Sequence, residues 1–231
     1  MERSDPKRQL SDISRDQRAV AIEWLTQMGR TDMSLIEVGC GSGWLCPWLK
    51  PFGRVTATDL SDKVLSRARK RVPDVNFVAG DFMALEFDAA AFDVVVTIEM
   101  LSHVADQDAF IAKLTRLLKP GGVLILATQN KPVLRKHNTV HPAKPGQLRR
   151  WVDRSELERL LSRHLRVQEI RAITPNANKG PMRLIAGRAA KKVMRKVAGR
   201  AIERRLEAAG FGWTLMALAQ KPGEAPLPHA N

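Results

Sequence analysis

The sequence predicts an α/β fold in which a mostly parallel sheet of seven strands carries helices on both faces. Three observations predict it. Short apolar runs (35–38, 55–58, 75–79, 92–98, 123–127, 167–173 and 212–219) alternate with stretches whose apolar residues recur at helical spacing. The first run feeds a glycine-rich turn, Gly39-Cys40-Gly41-Ser42-Gly43. The first three runs end at or beside an acid: Glu37, Asp59 and Asp81.

The 231 residues suit one core. No apolar run approaches the ~20 residues of a membrane span, and the polar start (Met1-Glu2-Arg3-Ser4-Asp5-Pro6) has no apolar stretch behind it, so no signal peptide is expected. The two cysteines, Cys40 and Cys46, suit neither a disulfide framework nor a zinc site. A reducing cytoplasm is therefore the expected compartment. No His or carboxylate spacing argues for a metal.

Taken in order, residues 11–29 form a helix through Ile13, Val20, Ala21, Trp24, Leu25 and Met28, with Ser11 and Asp12 as caps. Leu35, Ile36 and Val38 suit a strand covered on both faces. After the glycine turn a helix is expected from Trp44 to Leu49, its free N–H groups facing a ligand. Val55–Thr58 is a strand and 62–71 a helix. Phe92–Ile98 is β-branched and central. Helix 107–118 is expected to stop at Lys119-Pro120-Gly121-Gly122, ahead of strand Val123–Ala127. Residues 131–150 read as an irregular basic stretch with three prolines, 153–163 as a capped helix, and 222–231 as a disordered tail.

The turn indicates its ligand. A dinucleotide fingerprint is G-x-G-x-x-G, with the pyrophosphate at a helix N-terminus. Here the spacing is G-x-G-x-G, and Glu37 stands two residues before it. A carboxylate there repels a diphosphate and suits a cation. Asp59, about 20 residues past the turn, is placed to accept both hydroxyls of a ribose, or to cap the next helix.

Glu37-Val38-Gly39-Cys40-Gly41-Ser42-Gly43 resembles the first motif of class I S-adenosylmethionine-dependent methyltransferases, E/D-x-G-x-G-x-G. Gly80-Asp81-Phe82 and the helix–K-P-G-G–strand unit are similar to that class as well, so the resemblance covers residues 35–128. It implies a Rossmann-like domain over 1–221 whose last strand runs antiparallel. Insertions at 131–150 and 174–210 would lie on the acceptor side. The implied cofactor is S-adenosylmethionine, held by Glu37, Gly39, Cys40, Gly41, Gly43, Asp59, Leu60, Asp81, Phe82, Ile98 and Glu99. Of these, Asp59 takes the ribose, Leu60 packs on the adenine, Asp81 accepts from its amino group, and Phe82 lies against the ring. Ile98-Glu99-Met100-Leu101-Ser102-His103-Val104 is similar to the E-M-L-E-H-V segment of ubiquinone-biosynthesis O-methyltransferases, with Ser102 in place of Glu.

His103, just past the fourth strand, is the candidate general base for a hydroxyl acceptor; the other reading has it packing the next helix. His137 and His141 are weaker candidates by position. The acceptor is expected to be a small or lipid-like molecule methylated on oxygen or nitrogen.

Charge divides unevenly. Residues 1–130 carry 16 Lys/Arg against 17 Asp/Glu, whereas residues 131–231 carry 22 against 7. Such an asymmetry suits an anionic partner. Arg188, Lys192, Lys196, Arg200 and Arg204 form one row of an expected basic amphipathic helix over 183–205, interrupted only by Gly199. It would either dock peripherally on an anionic membrane surface or turn its basic side to water. Nucleic acid is the less favoured partner: no N/D-P-P-Y motif follows the fourth strand, and no cysteine lies there. A non-catalytic cofactor-binding module is the remaining alternative.

Overall fold

The computed structural model describes residues 11–143, 146–187, 189, 190, 192 and 199–223. Seven strands form one sheet in the order β3-β2-β1-β4-β5-β7-β6. They are β1 (Met33–Val38), β2 (Gly53–Asp59), β3 (Asn76–Ala79), β4 (Phe92–Ile98), β5 (Leu118–Gln129), β6 (Arg166–Ile173) and β7 (Thr214–Gln220). Only β7 runs against its neighbours, pairing antiparallel with both β5 and β6. The antiparallel last strand is therefore present.

β1 is central because its apolar side chains are split between two cores. Leu35 packs with Trp24 and Leu25 of α1 (Asp12–Gln27), and with Leu65 and Ala68 of α3 (Asp62–Arg71). Ile36 and Val38 face the other layer, with Phe110, Ile111 and Leu114 of α4 (Gln107–Leu117) and Leu157 and Leu161 of α6 (Arg154–Ser162). The order reverses direction between β1 and β4, where an open α/β sheet leaves a crevice at its carboxyl edge.

Helix starts follow the caps. Ser11, Ser61 and Asp106 each accept from a first-turn N–H of α1, α3 and α4. Asp153 and Glu156 close a reciprocal capping box on α6.

Four expectations need correction. The helix after the glycine turn shrinks to α2 (Cys46–Leu49), followed by a 3₁₀ turn at Lys50–Phe52, because Pro47 and Pro51 remove the donors a longer helix needs. Lys119-Pro120-Gly121-Gly122 lies within β5 as a bulge: pairing with β4 steps from Phe92↔Leu118 to Val94↔Val123. The stretch 131–150 is not wholly irregular, since α5 (Lys131–His137) starts on Pro132, which suits a first turn. The basic helix 183–205 is not one helix. α7 (Arg183–Ala186) ends where Gly187 is extended, and α8 (Ala201–Ala208) begins after Gly199, at φ +55°. Arg188, Lys196 and the apolar Val193, Met194, Val197 and Ala198 lie outside the described residues, as do 224–231 of the expected tail. Among the described residues no helix is long and apolar enough to cross a membrane.

Candidate functional site

The glycine turn is held from below by β2. Gly39 and Cys40 both donate their N–H to Thr58 O, at 2.9 and 2.8 Å. Gly41 N–H donates to Asp59 Oδ2 at 2.9 Å, and Gly43 N–H to Cys40 O. Four backbone donors of the turn are thereby committed to protein acceptors. A phosphate cradle works by leaving such donors free; this turn does not.

Gly41 sits at φ +53°, and a Cβ built there meets nothing within 4 Å, so the turn opens onto empty space. A Cβ at Gly39 would come within 2.6 Å of Met100 Sδ, and one at Gly43 within 3.2 Å of Ala68 in α3. The same motif thus serves an open surface at one glycine and close packing at another.

Above the turn, at the carboxyl edge, lies a cavity of about 590 Å³ lined by Gly39, Asp59, Leu60, Asp81, Met100 and His103, with Met83 and Leu148 at its margins. No Lys or Arg lines it, while Asp59, Asp81 and Asp106 do. Asp59 Oδ1 also accepts from Ser61 N–H at 3.0 Å, so both carboxylate oxygens are anchored and each keeps a lone pair. Leu60 is 75% exposed and Met83 37%, apolar surface of the kind a planar ring covers. The set fits an adenosine-bearing cation: a diol acceptor, apolar faces, negative walls and no anion donors.

His103 stands on a 3₁₀ turn (Leu101–His103) after β4, and its Nδ1 lies 3.1 Å from Leu148 O. A carbonyl only accepts, so Nδ1 carries a proton, and the neutral tautomer that this contact selects has its lone pair on Nε2. Leu148 belongs to the stretch after α5. That stretch is tied down where Arg150 N–H donates to Ser102 O, and where Gln107 Nε2 donates to Arg150 O.

Not every expected residue reaches the cavity. Glu37 is buried beneath the turn, where the Cys46 thiol donates to its Oε2 at 3.1 Å; burial pushes its carboxyl up to about 7. The negative walls come instead from Asp59, Asp81 and Asp106. Phe82 touches the cavity but is 2% exposed and packs edge-on against Phe110, with ring centroids 5.6 Å apart. Cys40 is buried, its thiol 3.6 Å from Gly41 O, and Ile98 packs against the α1-side core. His137 stacks edge-on with Phe211, and His141 is exposed and does not line the cavity.

Glu99 ends β4 at φ +63°, a left-handed position that strains a non-glycine residue. Its Oε1 accepts from Gln17 Nε2 at 2.6 Å and from Thr214 Oγ1 at 3.3 Å. Burial pushes Glu99 up to about 7, and hydrogen bonds from Thr214, Gln17 and Gln129 pull it only part of the way back. Gln17 and Thr214 were not expected. The signal for Gln17 was present: it is a polar residue in the buried α1 stripe with Ala21 and Trp24.

Fold, turn and acid positions are similar to those of class I S-adenosylmethionine-dependent methyltransferase domains. Residues 36–126 match the methyltransferase domain family. The ubiquinone biosynthesis O-methyltransferase of Caulobacter vibrioides is 32% identical over 160 residues, covering 64% of this chain and 61% of that protein. The chain thus spans less than two thirds of that relative. Among solved structures, the N-methyltransferase NodS of Bradyrhizobium japonicum, in complex with S-adenosylhomocysteine, aligns with TM-score 0.63 at 18% identity, covering 95% of this chain and 93% of that one. An S-adenosylmethionine-dependent methyltransferase from Mesorhizobium loti aligns with TM-score 0.62 at 18% identity, covering 88% and 100%.

Proposed function

We propose that this chain transfers a methyl group from S-adenosylmethionine to an oxygen or nitrogen of a small or lipid-like molecule. The observation that carries this reading is that Asp59 and His103 line one cavity whose described lining holds three carboxylates and no cation. Asp59 would hold the ribose hydroxyls, Asp81 the adenine amino group, and Leu60 and Met83 the faces of the base. When bound, S-adenosylmethionine supplies an electrophilic methyl on a positively charged sulfur. The chain's task is then to orient the acceptor and take its proton. His103 does the second through Nε2, with Leu148 O fixing the tautomer. Met100, Val104 and Leu148 give the cavity apolar walls that favour an apolar acceptor body and limit water. The free, buried Cys40 and Cys46 support action in a reducing compartment.

The test is incubation of the chain with methyl-labelled S-adenosylmethionine and a cell extract, followed by separation into small-molecule, lipid, protein and nucleic-acid fractions. Label in the small-molecule or lipid fraction, lost in the Asp59→Ala variant, is the expected result. Label confined to nucleic acid, or calorimetric binding of a nicotinamide dinucleotide in place of S-adenosylmethionine, would overturn the reading.

A further inference from the structure

β6 runs parallel to β5, so the chain leaves its end at the same carboxyl edge that carries the cavity, and it returns there into β7. Residues 174–213 between them form a long excursion for a compact domain. From Lys179 to Glu207 the sequence holds ten Lys/Arg and two acids, Glu203 and Glu207.

The fold sorts these charges. Both acids turn inward: Glu203 is 5% exposed and pairs with Arg200, and Glu207 accepts from Thr174 N–H. Lys179, Arg183, Arg204 and Arg205 are exposed, and none of the four pairs with an acid among the described residues. At the crest, α7 carries Leu184 at 78% and Ile185 at 38% exposure, beside Lys179 and Arg183. Leu184 is the most exposed large apolar side chain among the described residues.

The crest is nevertheless anchored to the domain. Ala177 N–H donates to Ala186 O, Asn178 and Lys179 N–H both donate to His137 O, and Asn138 Nδ2 donates to Asn176 O.

We propose that this crest, Lys179 to Ile185, docks on the surface of an anionic phospholipid bilayer. Leu184 and Ile185 enter the headgroup boundary while Lys179 and Arg183 meet lipid phosphates. The pairing of apolar tip with basic flank selects a bilayer over nucleic acid. A single-stranded nucleic acid would call for aromatic stacking platforms, and residues 174–210 contain no Phe, Trp or Tyr, while a duplex backbone would meet the basic groups but offer Leu184 and Ile185 no apolar layer to enter. Docking there sets the carboxyl edge of the sheet, and with it the cavity, next to the lipid. The proposal is independent of the reaction: it concerns where the domain sits.

Vesicle co-sedimentation of the full chain tests it, with pure phosphatidylcholine set against phosphatidylcholine mixed with phosphatidylglycerol, at physiological salt. The chain is expected to sediment with the anionic vesicles only. Leu184→Asp with Ile185→Asp should weaken binding at least roughly tenfold, since burying such a side chain accounts for that much affinity. Lys179→Gln and Arg183→Gln should each weaken it roughly fivefold. All four positions are exposed, so an unchanged Tm verifies the fold of each variant. Absence of vesicle binding would overturn the proposal, as would binding that the Leu184/Ile185 variant leaves intact. An equally tight, salt-sensitive complex with duplex RNA would reassign the surface to nucleic acid. Sedimentation as a dimer that Leu184→Asp dissociates would reassign it to self-association.

Discussion

Gln17 and Glu99, 82 residues apart in sequence, meet through a 2.6 Å hydrogen bond that fastens the first helix to the strained end of β4. The contact explains how a carboxyl can be buried at φ +63° without collapsing into αR geometry: Gln17 and Thr214 hold it from two sides. Gln17→Leu removes the shorter of these two hydrogen bonds and leaves a buried acceptor less fully satisfied. We expect a stability loss of about 1–3 kcal/mol by chemical denaturation. Affinity for S-adenosylmethionine should fall as well, because the β4 end shares its turn with Met100 at the cavity.

Glu99 also sets a pH dependence. Its native pKa, raised by burial to about 7, lies above the ordinary 4.5, so the folded state holds the proton more tightly than the unfolded chain. Stability from this group is fully present below about pH 4.5 and is lost as pH rises through 7, on the order of 2–3 kcal/mol. Glu37, also raised to about 7 by burial, adds a loss of the same sign. Glu99→Gln keeps the acceptor for Gln17 and cannot ionise. Its Tm should therefore fall less than that of the native chain between pH 5 and 8. A parallel fall would disprove the assignment.

Asp93 works in the opposite direction at the other edge of the sheet. Burial pushes it up, yet Lys119, the Ser34 N–H and Arg30 together hold it near 2. Its contribution is present above the ordinary carboxylate range and is lost as pH falls through 2. With both cations partly exposed, the net amount is about 1 kcal/mol. Asp93→Asn should lower stability by that amount at pH 7, and the difference from the native chain should vanish near pH 2.

Gly41 tests the open side of the turn. A Cβ there meets no atom within 4 Å, so the Gly41→Val chain should still fold, with about 1–2 kcal/mol lost to the left-handed backbone. The side chain would occupy the space next to Asp59, and titration calorimetry should show S-adenosylmethionine binding weakened at least tenfold. Unchanged affinity would place the cofactor elsewhere.

The strands, the glycine turn and the acids at the strand ends were legible because each follows from local pattern: apolar periodicity, a turn, an acid at a strand end. The motif position of Glu37 does not by itself reveal which face of β1 that residue occupies. It shares the α1 side with Leu35, beside Cys46, and so lies under the turn. Leu148 reaches the site only through tertiary approach across 45 residues, and although the α1 stripe marks Gln17 as buried, no local pattern names its partner 82 residues away. In the basic helix the break at Gly199 was legible, whereas the one at Gly187 was not, because the basic and apolar spacing runs through it at helical period.

Arg200 is where the excursion is fastened to the helix that serves the site. Its guanidinium reaches Glu203 at 3.1 Å, Asp16 at 3.6 Å and Glu207 at 3.9 Å, so one cation offsets three carboxylates. Asp16 also accepts from Thr174 Oγ1 at 2.9 Å, and the next residue along α1 is Gln17. Arg200→Ala leaves the three acids facing one another with no counter-charge from this position. The half-exposed arginine keeps the expected loss to about 1–2 kcal/mol, below that of a fully buried pair. Arg200→Lys should recover only part of it, since a point charge cannot span the three partners as a planar fork does. Hydrogen exchange gives the decisive readout. In Arg200→Ala, residues 201–208 should lose protection before the central strands, and the first turns of α1 should loosen with them. If α8 alone were affected, Arg200 would be a local staple without a connection to Gln17 and the cavity.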